Sequence, residues 1–576
     1  MKTSLLFFFM GLFAIAQNKN TSDFLTVFEK SNGLETGTYQ EVIDYYRLLA
    51  KTFHEIKLDS IGETDSGKPL HMVTYNPEAI FDFEMIRATK QIMLINNGIH
   101  PGEPDGIDAT MLLFRDLAQG KIKSPKRTVL VTIPIYNVGG SLNRNSTTRT
   151  NQDGPKAYGF RGNARNYDLN RDFIKADTKN ARAFTQLYHL VQPAVFIDNH
   201  VSNGADYQYT LTHLFTQHNK LGGALGNYLH TEMMPSLEKN LADKKWDITP
   251  YVNVFNDVPE AGFSQFYDSP RYSTGYTSLF NTLGMMVETH MLKPYKPRVE
   301  GTYELMKSMM DITERDHKKI KALRAQAITQ LQASKTYALA WTVDTTKSTT
   351  LQFKGYDGQM IPSSITGSNR LYYDRNKPFT KAVAYQNQFI PTLEVIIPKA
   401  YIIPQGWWNV IDLMKLNHVE MRILDKDTTI AVESYTIDRF QTRNQAYEGH
   451  YQHYNTKVNT LQTDITFRKG DYYVPTRQNA FRYLMETLEP EAPDSFFNWN
   501  FFDMILQQKE GFSPYVWEDV AADLLKTNQN LKSEFESKKK SDPEFSKNWY
   551  AQLEWLHKQS TYYEKAHLQY PVYRVM

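Results

Sequence analysis

Apolar and polar positions along the chain fall into two regimes. Up to about residue 330, compact apolar runs alternate with segments whose apolar residues recur at helical spacing. QIMLIN (91–96), RTVLVTIPIYN (127–137), AVFIDNH (194–200) and GMMVETH (284–290) read as buried strands, and KPLHMVTYN (68–76) is strand-like. TYQEVIDYYRLLAKTF (38–53), IDATMLLFRDL (107–117) and DTKNARAFTQLYHLV (177–191) read as helices, and 302–334 as one long helix. Strands separated by helices predict an α/β fold: a mostly parallel or mixed, doubly wound sheet with helices on both faces.

After about residue 335 the pattern changes. TTLQFKGYDG, NRLYYDR, TLEVIIPKAYIIP, HVEMRIL and AVESYTID are short strand-like pieces separated by turn residues, which predicts a β-rich module over 335–474. From 475 helical spacing returns, in NAFRYLMETL, FFDMILQQKE and VWEDVAADLLKTN, which predicts a helical C-terminal region over 475–576. No internal repeat and no Gly/Ser or Pro linker separates these regions, so the α/β part is expected to span 17–334.

The N-terminus opens a different question. MKTSLLFFFMGLFAIA carries one Lys, a short apolar core and a small-x-small end, which reads as a secretory signal over residues 1–16, cleaved after Ala16. The run is short for a membrane anchor, and no other apolar run is long enough to cross a bilayer. The chain has no cysteine, which excludes a lipid-modified cysteine after the signal and fits an exported bacterial protein held together by packing. The expectation is a periplasmic or extracellular protein without a membrane span in its mature chain. Only about twenty residues separate the signal from the first helical pattern, so activation by removal of a prodomain is not expected. Formal net charge is +2, from 65 basic and 63 acidic residues; that balance gives no reason to expect nucleic acid.

Chemistry gathers where strands end. His100 and Glu103 lie in NNGIHPGEPDG (97–107), between a buried strand and a helix, and His200 closes AVFIDNH. In a doubly wound sheet the C-terminal strand ends lie side by side, so these three could meet around one ion. Two imidazoles and one carboxylate leave a coordination position open, as a catalytic zinc site does. Asp198 is placed to orient a ring from behind. Each residue also has a plain structural reading; a strand-end histidine commonly bonds a backbone carbonyl. Between them, YGFRGNARNYDLNRDF (158–173) concentrates Arg161, Arg165 and Arg171 with Asn163, Asn166 and Asn170. Guanidinium groups bind carboxylates through paired hydrogen bonds, which points to a substrate bearing a carboxylate. Glu288 emerges from the strand GMMV beside the same region, where a carboxylate can take a proton from water and deliver it to a leaving amine.

HPGE (100–103), DLNRDF (168–173), DNH (198–200) and the Glu of MVETH (286–290) stand in the order of the zinc carboxypeptidase family, the M14 metallopeptidases, which the chain resembles over roughly residues 30–330 as an exported bacterial member. The resemblance implies one zinc per chain on His100, Glu103 and His200, and Glu288 as general base and acid. It implies Asn170 and Arg171 as the pair holding a peptide's terminal carboxylate. It also implies an arginine polarising the scissile carbonyl, for which Arg161 is chosen over Arg165, and a mobile tyrosine, for which Tyr272 fits better than Tyr276. The partners implied are peptides with a free C-terminal carboxylate. There are departures. Asn137-Val138-Gly139-Gly140 stands where the family often has Asn-Pro-Asp-Gly, a second pair Asn143-Arg144 lies nearby, and the stretch after His200 lacks the family's His-Ser pattern.

The expected activity is therefore zinc-dependent hydrolysis of the C-terminal amide bond of peptides. The alternatives are a zinc amidase acting on cell-wall peptides or N-acyl amino acids, and an inactive peptide-binding relative. In the second half, Trp407-Trp408 reads as one buried and one partly exposed ring, LEPEAPD (488–494) as a solvated turn without calcium-ligand spacing, and KKK (538–540) as a charged helix face.

Overall fold

The computed structural model of the chain describes residues 24–576; the segment expected to be a signal lies outside them. At its centre is an eight-stranded mixed sheet. In chain order its strands are β1 (Ile56–Glu63), β2 (Pro69–Tyr75), β3 (Gln91–Asn96), β4 (Thr128–Ile133), β5 (Val195–Ser202), β6 (Leu211–Phe215), β7 (Ile248–Pro250) and, after the two-residue β8 (Phe263–Ser264) outside it, β9 (Leu283–His290). The spatial order is β1-β2-β4-β3-β5-β9-β6-β7. Its four middle strands, β4, β3, β5 and β9, are mutually parallel, while β2 joins β4 and β6 joins β9 antiparallel.

The buried apolar strands expected from the sequence are β3, β4, β5 and β9; every residue of β3, β4 and β5 is buried. That is what a sheet covered on both faces requires. On one face pack α1 (Tyr39–Thr52), α2 (Asp105–Ala118) and, later in the chain, α5 (Tyr295–Arg315), around Tyr46, Phe114, Met309 and Val299. Thr38 opens α1 with a reciprocal cap, its hydroxyl accepting from the Glu41 N–H while the Glu41 carboxylate accepts from the Thr38 N–H. On the other face lies α3 (Lys179–Val191), and α4 (Ser273–Ser278) precedes β9.

The expected single helix over 302–334 is two. α5 starts earlier, at Tyr295, and ends at Arg315; α6 (His317–Ala333) continues it. Asp316 makes the break: its backbone leaves the helical region, and its carboxylate accepts the Tyr228 hydroxyl at 2.8 Å.

Beyond Ala333 the chain builds a separate pair of strands, β10 (Thr336–Val343) with Phe389–Ile396, a hairpin of β11 (Thr349–Pro362) with β12 (Asn369–Gln386), and a six-stranded sheet ending in Tyr573–Val575. The β12 strand pairs with β8, so the hairpin is sewn to the chain just before α4. One buried cluster runs from Phe184 and Tyr276 beside the central sheet through Tyr401 to Trp499, joining the two halves. In the C-terminal region, FFDMILQQKE is not a helix but one short turn, Asp503–Leu506. Phe501 and Phe502 pack on the rings of Phe496, Trp407 and Tyr570 instead of forming a helical stripe. Trp407 is thus packed, and Trp408 is exposed.

LEPEAPD also departs from expectation. Leu488, Glu489, Ala492 and Asp494 are buried. Glu489 accepts the hydroxyls of Tyr401 (2.6 Å) and Tyr435 (3.1 Å), and Asp494 pairs with Arg271 (2.7 Å). Buried carboxylates persist where cations and donors satisfy them, and all three partners come from distant parts of the chain, out of reach of a local pattern.

Candidate active site

Parallel strands β3, β5 and β9 bring their C-terminal ends together, and the site stands on those ends. The register sets His200 of β5 directly beside Glu288 of β9, and Asp198 beside Asn96 of β3. Past β3 the chain turns through Gly98 (φ +64°), then His100 and Glu103, before α2 begins at Asp105. The turn closes with the Glu103 N–H donating to the His100 carbonyl at 2.8 Å. Gly106 lets α2 sit against β5: a Cβ there would lie 2.3 Å from the Asn199 Cβ.

The side chains of His100, Glu103 and His200 are all buried and offer ligand atoms within 4.8 Å of one another. His100 Nδ1 lies 3.3 Å from Glu103 Oε1, and His200 Nδ1 lies 3.2 Å from Glu103 Oε2. Each ring is held from behind by a carboxylate: His100 Nε2 by Asp168 Oδ1 at 2.9 Å, and His200 Nε2 by Asp198 Oδ2 at 2.9 Å. Carboxylates behind both imidazoles fix their orientation and leave each Nδ1 facing the shared point, the arrangement that histidine metal ligands use. Burial opposes ionisation of Glu103, but His100 and Arg149 hold its carboxyl well below the usual range. This donor set, two nitrogens and one carboxylate, suits zinc.

Glu288 faces the same cavity, of about 350 Å³, which also receives Arg161, Asn170, Arg171 and Tyr272. Burial pushes Glu288 up to about 7, against the opposite pull of His200. Its carboxylate therefore exchanges a proton near neutrality.

The arginine-rich loop is resolved by contacts. Arg161 donates Nε and Nη2 to Asp168 Oδ2 at 3.0 and 2.8 Å, and its Nη1 stands 3.3 Å from His100 Nδ1. Arg165 turns away: it stacks on Tyr167 and donates to the Asp177 carbonyl. Arg144 likewise leaves the cavity, donating to the carbonyls of Thr36 and Gly37. Asn170 and Arg171 sit in a short turn, Leu169–Arg171, whose start is capped by Asp168. The Arg171 guanidinium lies over the Tyr272 ring, 4.6 Å from its centroid. Tyr276 is fully buried and donates to Asn417 at 2.7 Å, so it does not reach the cavity.

Two groups at the site carry no mark in the sequence. Arg149 donates to Glu103 Oε1 at 2.7 Å and lies against Gly102, where a Cβ would meet its Cδ at 3.0 Å. It comes from the polar stretch STTRTNQ, where nothing distinguishes it from a surface arginine. Tyr251 and the half-exposed Phe255 line the cavity from the loop after β7; only a contact across the sheet edge reveals them. Asp168, by contrast, stands inside DLNRDF, and its place two residues before Asn170 was a usable signal.

No family model matches the chain. Among curated proteins, it is 20% identical over 495 residues to Carboxypeptidase 2 of Trichophyton rubrum, covering 81% of this chain and 84% of that one. Among solved structures, it is similar to a metallo-carboxypeptidase from Burkholderia cenocepacia (15% identity, TM-score 0.35, covering 47% of this chain and 68% of that one). It is also similar to the carboxypeptidase A from Helicoverpa armigera (14%, TM-score 0.37, 49% and 74%). The chain is thus similar along most of its length to a carboxypeptidase, and four of its short motifs bring their side chains to one candidate metal centre.

Proposed function

We propose that the protein is an exported zinc metallocarboxypeptidase that hydrolyses the C-terminal amide bond of peptides. The observation that carries this reading is the convergence of the buried His100, Glu103 and His200 with Glu288, Arg161 and the Asn170–Arg171 pair on one cavity. His100 and His200 through Nδ1, and Glu103 through its carboxylate, would hold one zinc ion. Bound there, zinc supplies Lewis acidity and lowers the pKa of water toward about 7.

The chain's own groups do the rest. Glu288 takes the proton of the attacking water and passes it to the leaving nitrogen, as a carboxyl lining the same cavity can do. Arg161, which remains cationic beside Asp168 and Glu103, faces the oxygen on which charge develops. Asn170 and Arg171 bind the terminal carboxylate, and Tyr272 backs the guanidinium, so that the last residue alone is presented. The N-terminal pattern read as a signal supports export, and no helix among the described residues is long and apolar enough to cross a membrane.

The test is metal content and activity together. One zinc per chain, lost in His200→Ala, and chelator-sensitive release of C-terminal residues are expected. Zinc without release from free-carboxylate peptides would favour cell-wall peptides or N-acyl amino acids as substrates; absence of bound metal would favour a peptide-binding relative.

A further inference from the structure

The segment LEPEAPD reaches the site from the other half of the chain. Asp494, its last residue, is fully buried. Its Oδ1 accepts the Arg271 Nε at 2.8 Å and the Trp499 indole N–H at 3.1 Å, and its Oδ2 accepts the Arg271 backbone N–H at 3.0 Å. One carboxylate therefore fixes both the side chain and the main chain of Arg271. The guanidinium is further enclosed by the Trp499 ring, 5.0 Å from its centroid.

The next two residues are the ones that matter to the cavity. Tyr272 carries the ring on which Arg171 lies, and the Ser273 backbone N–H donates to Asn170 Oδ1 at 3.2 Å. Arg271 also accepts the Phe173 N–H through its carbonyl, so 270–273 and 168–173 form one linked unit. Neither stretch is regular secondary structure long enough to hold its own position; the anchor is Asp494. A second link runs beside it, where Glu448 accepts the Asp168 N–H at 2.8 Å.

We propose that Asp494 is a positioning residue for recognition of the substrate's terminal carboxylate, acting through Arg271 on Tyr272, Ser273 and the Asn170–Arg171 pair. This gives the C-terminal half a part in substrate binding, and it rests on the carboxypeptidase reading above. Asp494 touches no substrate. Its effect is to keep the side-chain amide of Asn170 and the plane of Arg171 oriented toward the cavity, where small displacements weaken a geometry-dependent contact.

The experiment uses the full chain loaded with zinc and peptides ending either in a free carboxylate or in an amide. Asp494→Asn is expected to raise KM for the free-carboxylate peptide by about tenfold, to change kcat by less than about threefold, and to leave zinc content unchanged. Asp494→Glu should recover part of the loss. Arg271→Lys, which keeps the buried pair neutral but loses the planar fork, is the second variant and decides the question if Asp494→Asn does not fold. Arg171→Ala is the reference. If it raises KM while neither Asp494→Asn nor Arg271→Lys does, the positioning role is overturned and the carboxylate clamp stands. If Arg171→Ala also leaves KM unchanged, the clamp itself fails and the proposal falls with it.

Discussion

Asp168 accepts from both sides of the site: its Oδ1 is 2.9 Å from His100 Nε2, and its Oδ2 takes the Arg161 guanidinium at 2.8 Å. Both partners hold the Asp168 carboxyl well below its ordinary range, although burial pulls the other way. The residue therefore sets the orientation of the His100 ring and of Arg161 beside it. Asp168→Asn is expected to weaken zinc binding by roughly 10- to 100-fold, the usual effect of losing a carboxylate behind a ligand. Competition with a calibrated chelator reads this directly; an unchanged affinity would mean that Asp168 serves only Arg161.

Arg171 offers a cleaner separation of binding from chemistry. Its side chain is about a quarter exposed; Nη1 donates to the Asn170 carbonyl at 2.8 Å and stands 3.9 Å from Asp168, its one ionic neighbour among the described residues, which leaves Nη2 and Nε for a ligand. Arg171→Ala should raise KM for free-carboxylate peptides by roughly 10- to 100-fold, the scale of a charge-assisted hydrogen bond, with kcat altered far less. Steady-state kinetics on matched peptides checks it. Equal loss in kcat would place Arg171 at the reacting bond instead.

Gly106 tests how tightly the fold holds the ligand turn. A Cβ at this position would meet Asn199 Cβ at 2.3 Å and Asn97 Oδ1 at 2.5 Å, in a buried site between α2 and β5. Asn199 Cβ is the root of its side chain and Asn97 Oδ1 is held by Asn199 Nδ2 and Thr110 Oγ1, so the helix that follows Glu103 must shift. Gly106→Ala is expected to cost about 1–3 kcal/mol of stability, as overpacking does, and to lower zinc affinity as well. Thermal unfolding with and without zinc separates the two effects; a variant as stable as the parent would show that α2 can yield.

The pair His189 and His418 gives a pH dependence far from the site. Their rings stack at 4.8 Å, and burial together with His418 pushes His189 down to about 3. The folded state therefore resists protonation that the unfolded chain accepts below about 6.5. Stability is complete above that value and falls as pH drops toward 3. At pH 5 the loss from His189 is about 2 kcal/mol. His189→Gln should flatten this part of the curve between pH 7 and 5, measured by denaturant unfolding at each pH. A curve of unchanged slope would show that His189 is not the group responsible.

Much of this arrangement was legible in the residues themselves. The buried strands announced themselves as continuous apolar runs, because a sheet covered on both faces has no polar side, and the candidate ligands His100, Glu103 and His200 stand at or just past strand ends, where sequence position and topology coincide. The choices of Arg161 over Arg165 and of Tyr272 over Tyr276 rested on the resemblance alone: the members of each pair differ in which way a loop turns, and that is set by Asp168, Asp177 and Asn417 across the fold. The half-exposed edge strand β1 and the break at Asp316 depend on partners distant in sequence. Asp494 is the clearest case. Its neighbours Glu489, Pro490 and Glu491 make the segment look like solvated turn, and the cation that turns that charge inward, Arg271, lies more than two hundred positions away.

The central claim is that His100, Glu103 and His200 hold a zinc ion whose hydrolytic use depends on Glu288. The most direct measurement is mass-spectrometric analysis of a mixed peptide pool incubated with the zinc-loaded protein and, in parallel, with Glu288→Gln of equal zinc content. The account expects loss of single residues from the C-terminal end with the parent, suppressed about 100-fold or more by the substitution. Equal release by both proteins, or cleavage elsewhere in the peptides, would contradict it.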